Sequence, residues 1–364
     1  MNAAAVKYDG KHKYIRITDI DEETSAFIPN PLSSPDGEFE QKYLVKENDI
    51  LFARTGASVG KSYLYNPNDG ELYFAGFLIR ARIKPEYNGT FIYYQTKSKK
   101  YDRWVKLTSM RSGQPGINSQ EYSCYPIAIT GKVEQDKIAD FLQMIDNRIA
   151  VQNKIISDLK VLKKELCNKL FNSSHCDKTI EIRQVADIYG GYAFNSKTYI
   201  SDGKYKIVTI GNVTGDKYIS GDYNRIDILP DNIQEQQILN NGDILISLTG
   251  NVGRISIVDG DNYLLNQRVA KLNVKNNLIK AYIYQYLSNS SFEKDMSNAG
   301  QGAAQKNIKN EDILSYNIRI PTSQTYLEKI DGLLSIYDKL IANEERILAN
   351  LYLQKSFLLN AMFI

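Results

Sequence analysis

One pattern constrains this chain more than any other. Along Glu134–Phe171, Ile138, Leu142, Ile145, Ile149, Gln152, Ile156, Leu159, Lys163, Leu166 and Leu170 follow one another at steps of four and three, the spacing of a coiled-coil seam. The seam returns 192 positions later as Ile330, Leu334, Tyr337, Ile341, Glu344, Leu348, Leu351, Lys355, Leu358 and Met362. Its two polar interruptions fall at the same steps, Gln152 with Glu344 and Lys163 with Lys355. Unrelated helices have no reason to misplace polar residues in register, so these are two copies of one element. At 1.5 Å per residue the first helix, about 38 residues, reaches roughly 57 Å.

The rest of the chain repeats at nearly the same interval. Met1–Ile20 aligns with Phe194–Val213, each with an Asp-Gly turn leading into a β-rich run. ENDILFARTGASVGKSYLY, Glu47–Tyr65, matches NGDILISLTGNVGRISIV, Asn241–Val258, as a strand, a glycine turn and a second strand. A Tyr-rich run from Phe91 parallels one from Tyr282 and reads as one helix in each copy. Loops at Met110–Asn118 and Ala299–Ile308 follow, then closing apolar strands ending at Ile129 and Ile320. A polar loop is expected over Pro29–Gly37. Only the second copy is preceded by a strand-like segment, Ile180–Ala193, so an opening strand of the first domain is expected to be absent or supplied from elsewhere. The boundaries this predicts are a first globular domain over 1–132, a long helix over 133–172, a linker over 173–179, a second globular domain over 180–321 and a second long helix over 322–364. Two copies make a tandem duplication, not a solenoid.

With 364 residues the chain exceeds the roughly 250–300 at which a single core stops growing. Its 45 basic and 42 acidic residues leave a net charge of +3, too balanced to decide for or against nucleic acid. Cys124, Cys167 and Cys176 are odd in number and lack metal-ligand spacing, which fits a reducing compartment. No apolar run reaches the roughly 18 residues of a membrane span and no signal-peptide core is present, so cytoplasm is the expected location.

Several catalytic patterns dissolve on inspection. Gly56-Ala57-Ser58-Val59-Gly60-Lys61-Ser62 resembles a phosphate-binding loop but has three residues between its glycines where four are needed, and Gly250–Arg254 is shorter still. Pro35-Asp36 followed by Glu40-Gln41-Lys42 hints at a nuclease metal site, but so short a spacing cannot bring carboxylates from separate strands onto one ion. His12 and His175 fall in a polar lead-in and the linker, and neither a GxSxG nor an Asn-Pro-Pro-aromatic motif occurs. No catalytic residue, metal site or bound cofactor is expected.

Recognition chemistry remains. The glycine turns present Arg54, Thr55, Ser58 and Lys61 in one copy and Thr249, Asn251 and Arg254 in the other. Cations and aromatics interleave at Lys97, Lys99, Lys100, Tyr101, Arg103, Trp104 and Lys106, ahead of Arg111, Ser112 and Gln114. The second copy carries Gln301, Gln305 and Lys306 in the corresponding loop. Arginine and amides make bidentate contacts to guanine and adenine edges, and lysines supply salt-dependent phosphate contacts. The plain alternatives are a hairpin turn that needs glycine and a solvated helix face.

This ordered duplicate resembles the specificity subunit of type I restriction-modification systems. The resemblance is carried by NDIL at Asn48–Leu51, GDIL at Gly242–Leu245, the glycine turns after them, the Gln-rich loop before Asn307-Ile308 and the helix start EQDKIADFLQMIDNRI, and it covers essentially the whole chain. It implies an α+β fold: two similar α/β target-recognition domains separated by two long helices that form an intramolecular antiparallel coiled coil. It further implies that each domain reads one half of a bipartite site in double-stranded DNA and that the helices set the spacer and dock two modification subunits. Restriction subunits would join them, and S-adenosylmethionine, ATP and Mg would be bound by those partners, not by this chain. A coiled-coil scaffold without DNA affinity is the alternative; it explains the helices but not why the loops differ between copies.

Overall fold

The structure, a computed structural model, describes residues 1–22, 24–110, 113–300 and 306–363. The chain divides into two compact units, Met1–Asn153 with Arg346–Ile364, and Lys154–Glu345. The division falls within the long helices, whose halves pack with the domain nearest to them, so the units do not coincide with the domain boundaries expected from sequence.

Unit 1 carries strands β1 (Ala5–Lys7), β2 (Lys13–Ile15), β3 (Ser33–Pro35), β4 (Asp49–Ala53), β5 (Ser62–Leu64), β6 (Leu72–Phe74) and β7 (Leu78–Arg82). Helices α1 (Gly89–Gln95), α2 (Lys99–Ser109) and α3 (Ser119–Ser123) follow, then α4 (Lys132–Phe171), which continues into unit 2. Unit 2 carries β8 (Lys178–Glu181), β9 (Ala186–Gly190), β10 (Tyr205–Val208), β11 (Asn224–Ile226), β12 (Ile238–Leu239), β13 (Ile244–Ser247), β14 (Ile255–Ile257), β15 (Tyr263–Leu265) and β16 (Val269–Val274). It closes with α5 (Asn277–Leu287), α6 (Ser290–Ala299), α7 (Asn310–Leu314), β17 (Asn317–Ile320) and α8 (Gln324–Met362).

The duplication is visible in the pairing. β4 lies between β5 and β7 as β13 lies between β14 and β16, all antiparallel. β2 runs parallel to β6 as β10 does to β15. Each unit has a core in which the central sheet, the Tyr-rich helix and the long helices meet. Ile50, Phe91, Tyr94, Leu142 and Leu359 form it in unit 1, and Ile244, Tyr282, Phe292, Ile330 and Leu334 in unit 2.

The seam faces inward except at its last step, where Met362 is exposed and Phe363 is buried instead. Ile138, Leu142, Ile145, Ile149, Ile156, Leu159, Leu166, Ile330, Leu334, Tyr337, Ile341, Leu348, Leu351 and Leu358 are all buried or half-buried, while the off-seam Met144, Val151, Ile336 and Leu353 are exposed. Its polar steps also find partners. Lys355 Nζ lies 2.5 Å from Asp146 in unit 1, and Lys163 Nζ lies 2.5 Å from Asp338 in unit 2. In both units a lysine near one end of one helix meets an aspartate of the other helix running the opposite way, so the helix segments in each unit are antiparallel. The Tyr-rich helix contacts the same carboxylates, through Tyr94 Oη at 2.8 Å in one unit and Gln285 Nε2 at 2.7 Å in the other.

Four expectations need correction. The Tyr-rich run is two helices in each copy, not one, because Ser98 and Asn289 accept from Tyr101 N and Ser291 N and cap a second helix there. The loop Pro29–Gly37 contains β3. The linker over 173–179 is shortened because Lys178 and Thr179 belong to β8, which pairs with β17. The strand expected to end at Ile129 does not form: its counterpart β17 has β8 as partner, and among the described residues of the first domain no strand takes that place. Gln95 replaces that partner locally, its Nε2 donating to Ala128 O and its Oε1 accepting from Ala128 N, both at 2.8 Å, while Ile127 and Ile129 stay exposed.

The two central sheets differ at one edge. β16 is covered by β9, whereas among the described residues β7 pairs only with β4. Alternation of hydrogen bonding along an antiparallel strand turns the amides of Arg80 and Arg82 outward, so hydrogen exchange is expected to be at least about tenfold faster there than at Lys271 and Asn273, their paired equivalents. Asp338→Ala leaves Lys163 buried without a counter-charge and should cost about 3–5 kcal/mol in chemical denaturation. Asp146→Ala should cost less, because its side chain is 28% exposed against 6% for Asp338.

Candidate nucleic-acid interface

The two stretches singled out in each copy, separated by some fifty residues of chain, come together through the backbone. In unit 1, Gly56 N donates to Pro115 O at 2.9 Å and Ile117 N to Arg54 O at 2.9 Å. In unit 2, Gly250 N donates to Lys306 O at 3.1 Å and Ile308 N to Leu248 O at 3.0 Å. Isolated bridges Thr55↔Gly116 and Thr249↔Asn307 mark the same junction. Each domain thus has a surface built from the glycine turn and the loop after its second helix.

Glycine is required in the turn for two reasons. Gly60 and Gly253 have φ of 90° and 79°, where a side chain is strained. They also lie against the helix behind: a Cβ on Gly60 would stand 2.6 Å from Val105 Cγ1 of α2, and one on Gly253 2.7 Å from Met296 Cβ of α6. The turn is therefore seated on the helix, and its tip is held still. Gln114 reaches over Gly56, with its Nε2 3.1 Å from where a Cβ would be.

Most candidates face solvent. Arg54, Lys99, Lys100, Arg103 and Gln114 are exposed, and Thr55 and Ser58 are half-buried beside them. Arg111, Ser112, Gln301 and Gln305 lie outside the described residues. Asn251 and Lys306 are exposed, with Lys306 Nζ 2.5 Å from Ser297 Oγ. Arg254 is half-buried and its Nε lies 3.2 Å from Glu293. Thr249 is half-buried with an Oγ1 that meets no hydrogen-bond partner among the described residues.

Lys61 belongs to the fold. Its side chain is 16% exposed, is paired with Glu22 and donates to Ile20 O at 3.3 Å, so it ties the turn to the loop preceding it. Lys97 is likewise internal. Its ammonium donates to Ser25 Oγ, Ser62 O and Ser62 Oγ at 2.8, 3.0 and 2.8 Å, and lies over the Tyr93 ring. Burial, with Lys355 nearby, pulls its pKa down to about 7, and Tyr101 is packed inside with its pKa raised by burial.

Sequence reading overlooked a third contributor. Arg54 N donates to Phe77 O at 3.1 Å, and at the matching place Leu248 N donates to Arg268 O at 3.0 Å. Phe77 is 64% exposed and Arg268 is exposed. The turn before β7 and β16 thus joins the surface in both domains; its signal was that it recurs at the interval of 191 found for the Tyr-rich run. Lys106, Leu107 and Met110 extend the outward face of α2.

The two surfaces differ in charge. α2 carries four basic side chains and one acidic one, and Lys99, Lys100, Arg103 and Lys106 form no ion pair with any described residue. α6 carries Lys294 against Glu293 and Asp295. Among the described residues no group of His, Cys, Asp and Glu could hold a metal ion, and no helix is long and apolar enough to cross a membrane.

The family model for the type I restriction modification DNA specificity domain matches residues 2–161 and 178–352. Among solved structures, the chain shares its fold with one from studies of complex assembly and conformational transition in the type I R-M system. That match has a TM-score of 0.57 and 15% identity and covers 96% of this chain and 90% of the other. It is also similar to the type I restriction-modification S subunit from M. genitalium, with a TM-score of 0.56, 17% identity and coverage of 100% and 93%.

Replacing Gly253 by Ala should displace the turn from α6 and lower stability by roughly 1–3 kcal/mol, measured by urea unfolding. An unchanged midpoint would mean that the turn is not seated on the helix.

Proposed function

Because the chain belongs to the family of type I restriction-modification DNA specificity domains, we propose that its two glycine-turn surfaces are the elements by which it reads DNA. The chain is the DNA sequence-specificity subunit of such a system, each domain reading one half of a bipartite site. The observation that carries the placement is the joining, in both copies, of three separate loops into one surface whose backbone is held alike and whose side chains differ. A shared backbone keeps the docking geometry; different side chains at the tip give different sequences.

In domain 1, Arg54, Thr55, Ser58 and Gln114 are placed to meet base edges, with Arg111 and Ser112 in the same loop, and Lys99, Lys100, Arg103 and Lys106 to meet phosphates. In domain 2 the corresponding groups are Thr249, Asn251, Arg254, Arg268 and Lys306, with Gln301 and Gln305. Arg254 must exchange Glu293 for DNA, or serve to shape the turn.

The chain contributes no chemistry of its own in this reading: methyl transfer and cleavage fall to modification and restriction subunits, which bind S-adenosylmethionine, ATP and Mg. Support for docking comes from a second apolar stripe on the helices, outside the seam. Phe141, Met144, Val151 and Ile155 of α4, and Leu333, Ile336 and Leu340 of α8, are exposed at helical spacings that form a face for two modification subunits. The assembly would work in the cytoplasm, where the DNA is.

Methylome sequencing of a host expressing the chain with its modification subunit should show a motif split in two by an unspecified gap; a continuous motif would refute the reading. Removing Lys99, Lys100, Arg103 and Lys106 together should weaken binding to all sequences and lower the salt slope of log K by about 3–4, at about 0.9 per phosphate contact, with the methylated motif unchanged.

A further inference from the structure

The duplication supplies its own template for a binding site that one copy fills and the other leaves open. In unit 2 the segment Thr214–Ser220 lies along the outer edge of β14. Ile257 N donates to Lys217 O at 2.8 Å and Ile219 N to Ile257 O at 3.0 Å, with Tyr218 and Ile257 paired in parallel. Ser256 Oγ adds a bond to Asp216 O at 2.9 Å. This added strand sets Lys217 Nζ 3.6 Å from Asp338, the carboxylate already shared by Lys163 and Gln285, and leaves Asp338 only 6% exposed.

Leu64 is the equivalent of Ile257. Ile50 pairs with Leu64 as Ile244 pairs with Ile257, and Tyr65 N donates to Asp49 O as Val258 N does to Asp243 O. The loop that should cover β5 instead folds back on itself: Asp21 N donates to Ala26 O, Ser25 N to Asp21 O, and Ser25 takes φ 57°. Among the described residues nothing hydrogen-bonds the outward amide or carbonyl of Leu64. Beside it opens a cavity of about 750 Å³ lined by Leu64, Tyr65, Tyr93, Asp146, Ile149 and Tyr352. Asp146 is the equivalent of Asp338 and is 28% exposed there. It holds Lys355 and Tyr94, but among the described residues it has no counterpart of Lys217. Lys97, the other cation nearby, is spent on Ser25 and Ser62 and forms no ion pair with it.

We infer that this cavity receives an extended segment of a partner protein, which adds to β5 as a parallel strand and sets a lysine or arginine on Asp146. The chemistry favours a polypeptide over a small cation. Leu64 offers one N–H and one C=O directed to the same side, a pattern that a neighbouring strand satisfies with two backbone bonds. The carboxylate and the Tyr93 and Tyr352 rings then select the charge of the incoming side chain. The occupant's pattern follows from unit 2: a basic residue, then an aromatic or β-branched pair, as in Lys217-Tyr218-Ile219. This inference does not depend on which DNA surface is used.

The test uses the full chain, methyl-labelled at Leu and Ile, titrated with a capped peptide of the sequence Thr214–Gly221, TGDKYISG. Leu64 and Ile149 methyl resonances should move and saturate within the millimolar range. A peptide with Glu in place of its lysine should bind about tenfold more weakly or worse, and so should the wild-type peptide to Asp146→Asn. Absence of saturable movement up to several millimolar, equal binding of the Glu peptide, or shifts confined to β14 and β16 would overturn the inference. Because the Glu peptide changes no residue of the protein, the conclusion survives if Asp146→Asn folds poorly.

Discussion

Each half of this molecule depends on one carboxylate placed where three elements meet. Asp146 and Asp338 sit on the long helices, take a lysine from the antiparallel helix and a hydrogen bond from the Tyr-rich helix of the domain. An apolar residue at that step would pack as well but would specify nothing about register. A charge enclosed by partners from two directions fixes how far one helix can slide along the other and which face the domain presents to them. The polar residues that interrupt the seam are thus what sets its alignment, a role that buried polar groups also play in shorter coiled coils.

The same contrast between fixed backbone and variable side chain runs through the domains. Gly60 and Gly253 hold the turn against α2 and α6 because nothing larger fits, and the loops are joined by main-chain bonds that do not depend on residue type. Side chains at the tips are then free to differ: Phe77 stands where the other copy has Arg268, and a helix with four cations where the other is acidic on balance. Domain 1 thus carries a basic helix beside its turn, and domain 2 does not.

Much of this was legible in the sequence. The seam up to Leu358, the duplicated strand–turn–strand units and the glycine turns depend on local spacing and are present in the structure, with Lys163 and Lys355 each meeting an aspartate. Contacts between distant segments did not. Nothing local shows that Lys61 turns back to Glu22, that Lys97 points inward to Ser62, or that Gln95 stands in for a strand beside Ala128. The single helix read from Phe91 failed for a local reason, the Ser98 cap, which periodicity alone overrode. Where an expected strand has no partner among the described residues, as at Ile129, apolar alternation predicted a structure that only pairing could have made.

The long helices also impose an order of events. Unit 2 is made from one continuous stretch, Lys154–Glu345, whereas unit 1 needs both Met1–Asn153 and Arg346–Ile364. Lys355, Leu359 and Phe363 are partners of Asp146, Leu142 and Phe91 and emerge from the ribosome after all of unit 2. Domains usually complete themselves in the order of synthesis. Of the two units, the one whose synthesis begins earlier is finished later, and until then the apolar side of its helix remains uncovered.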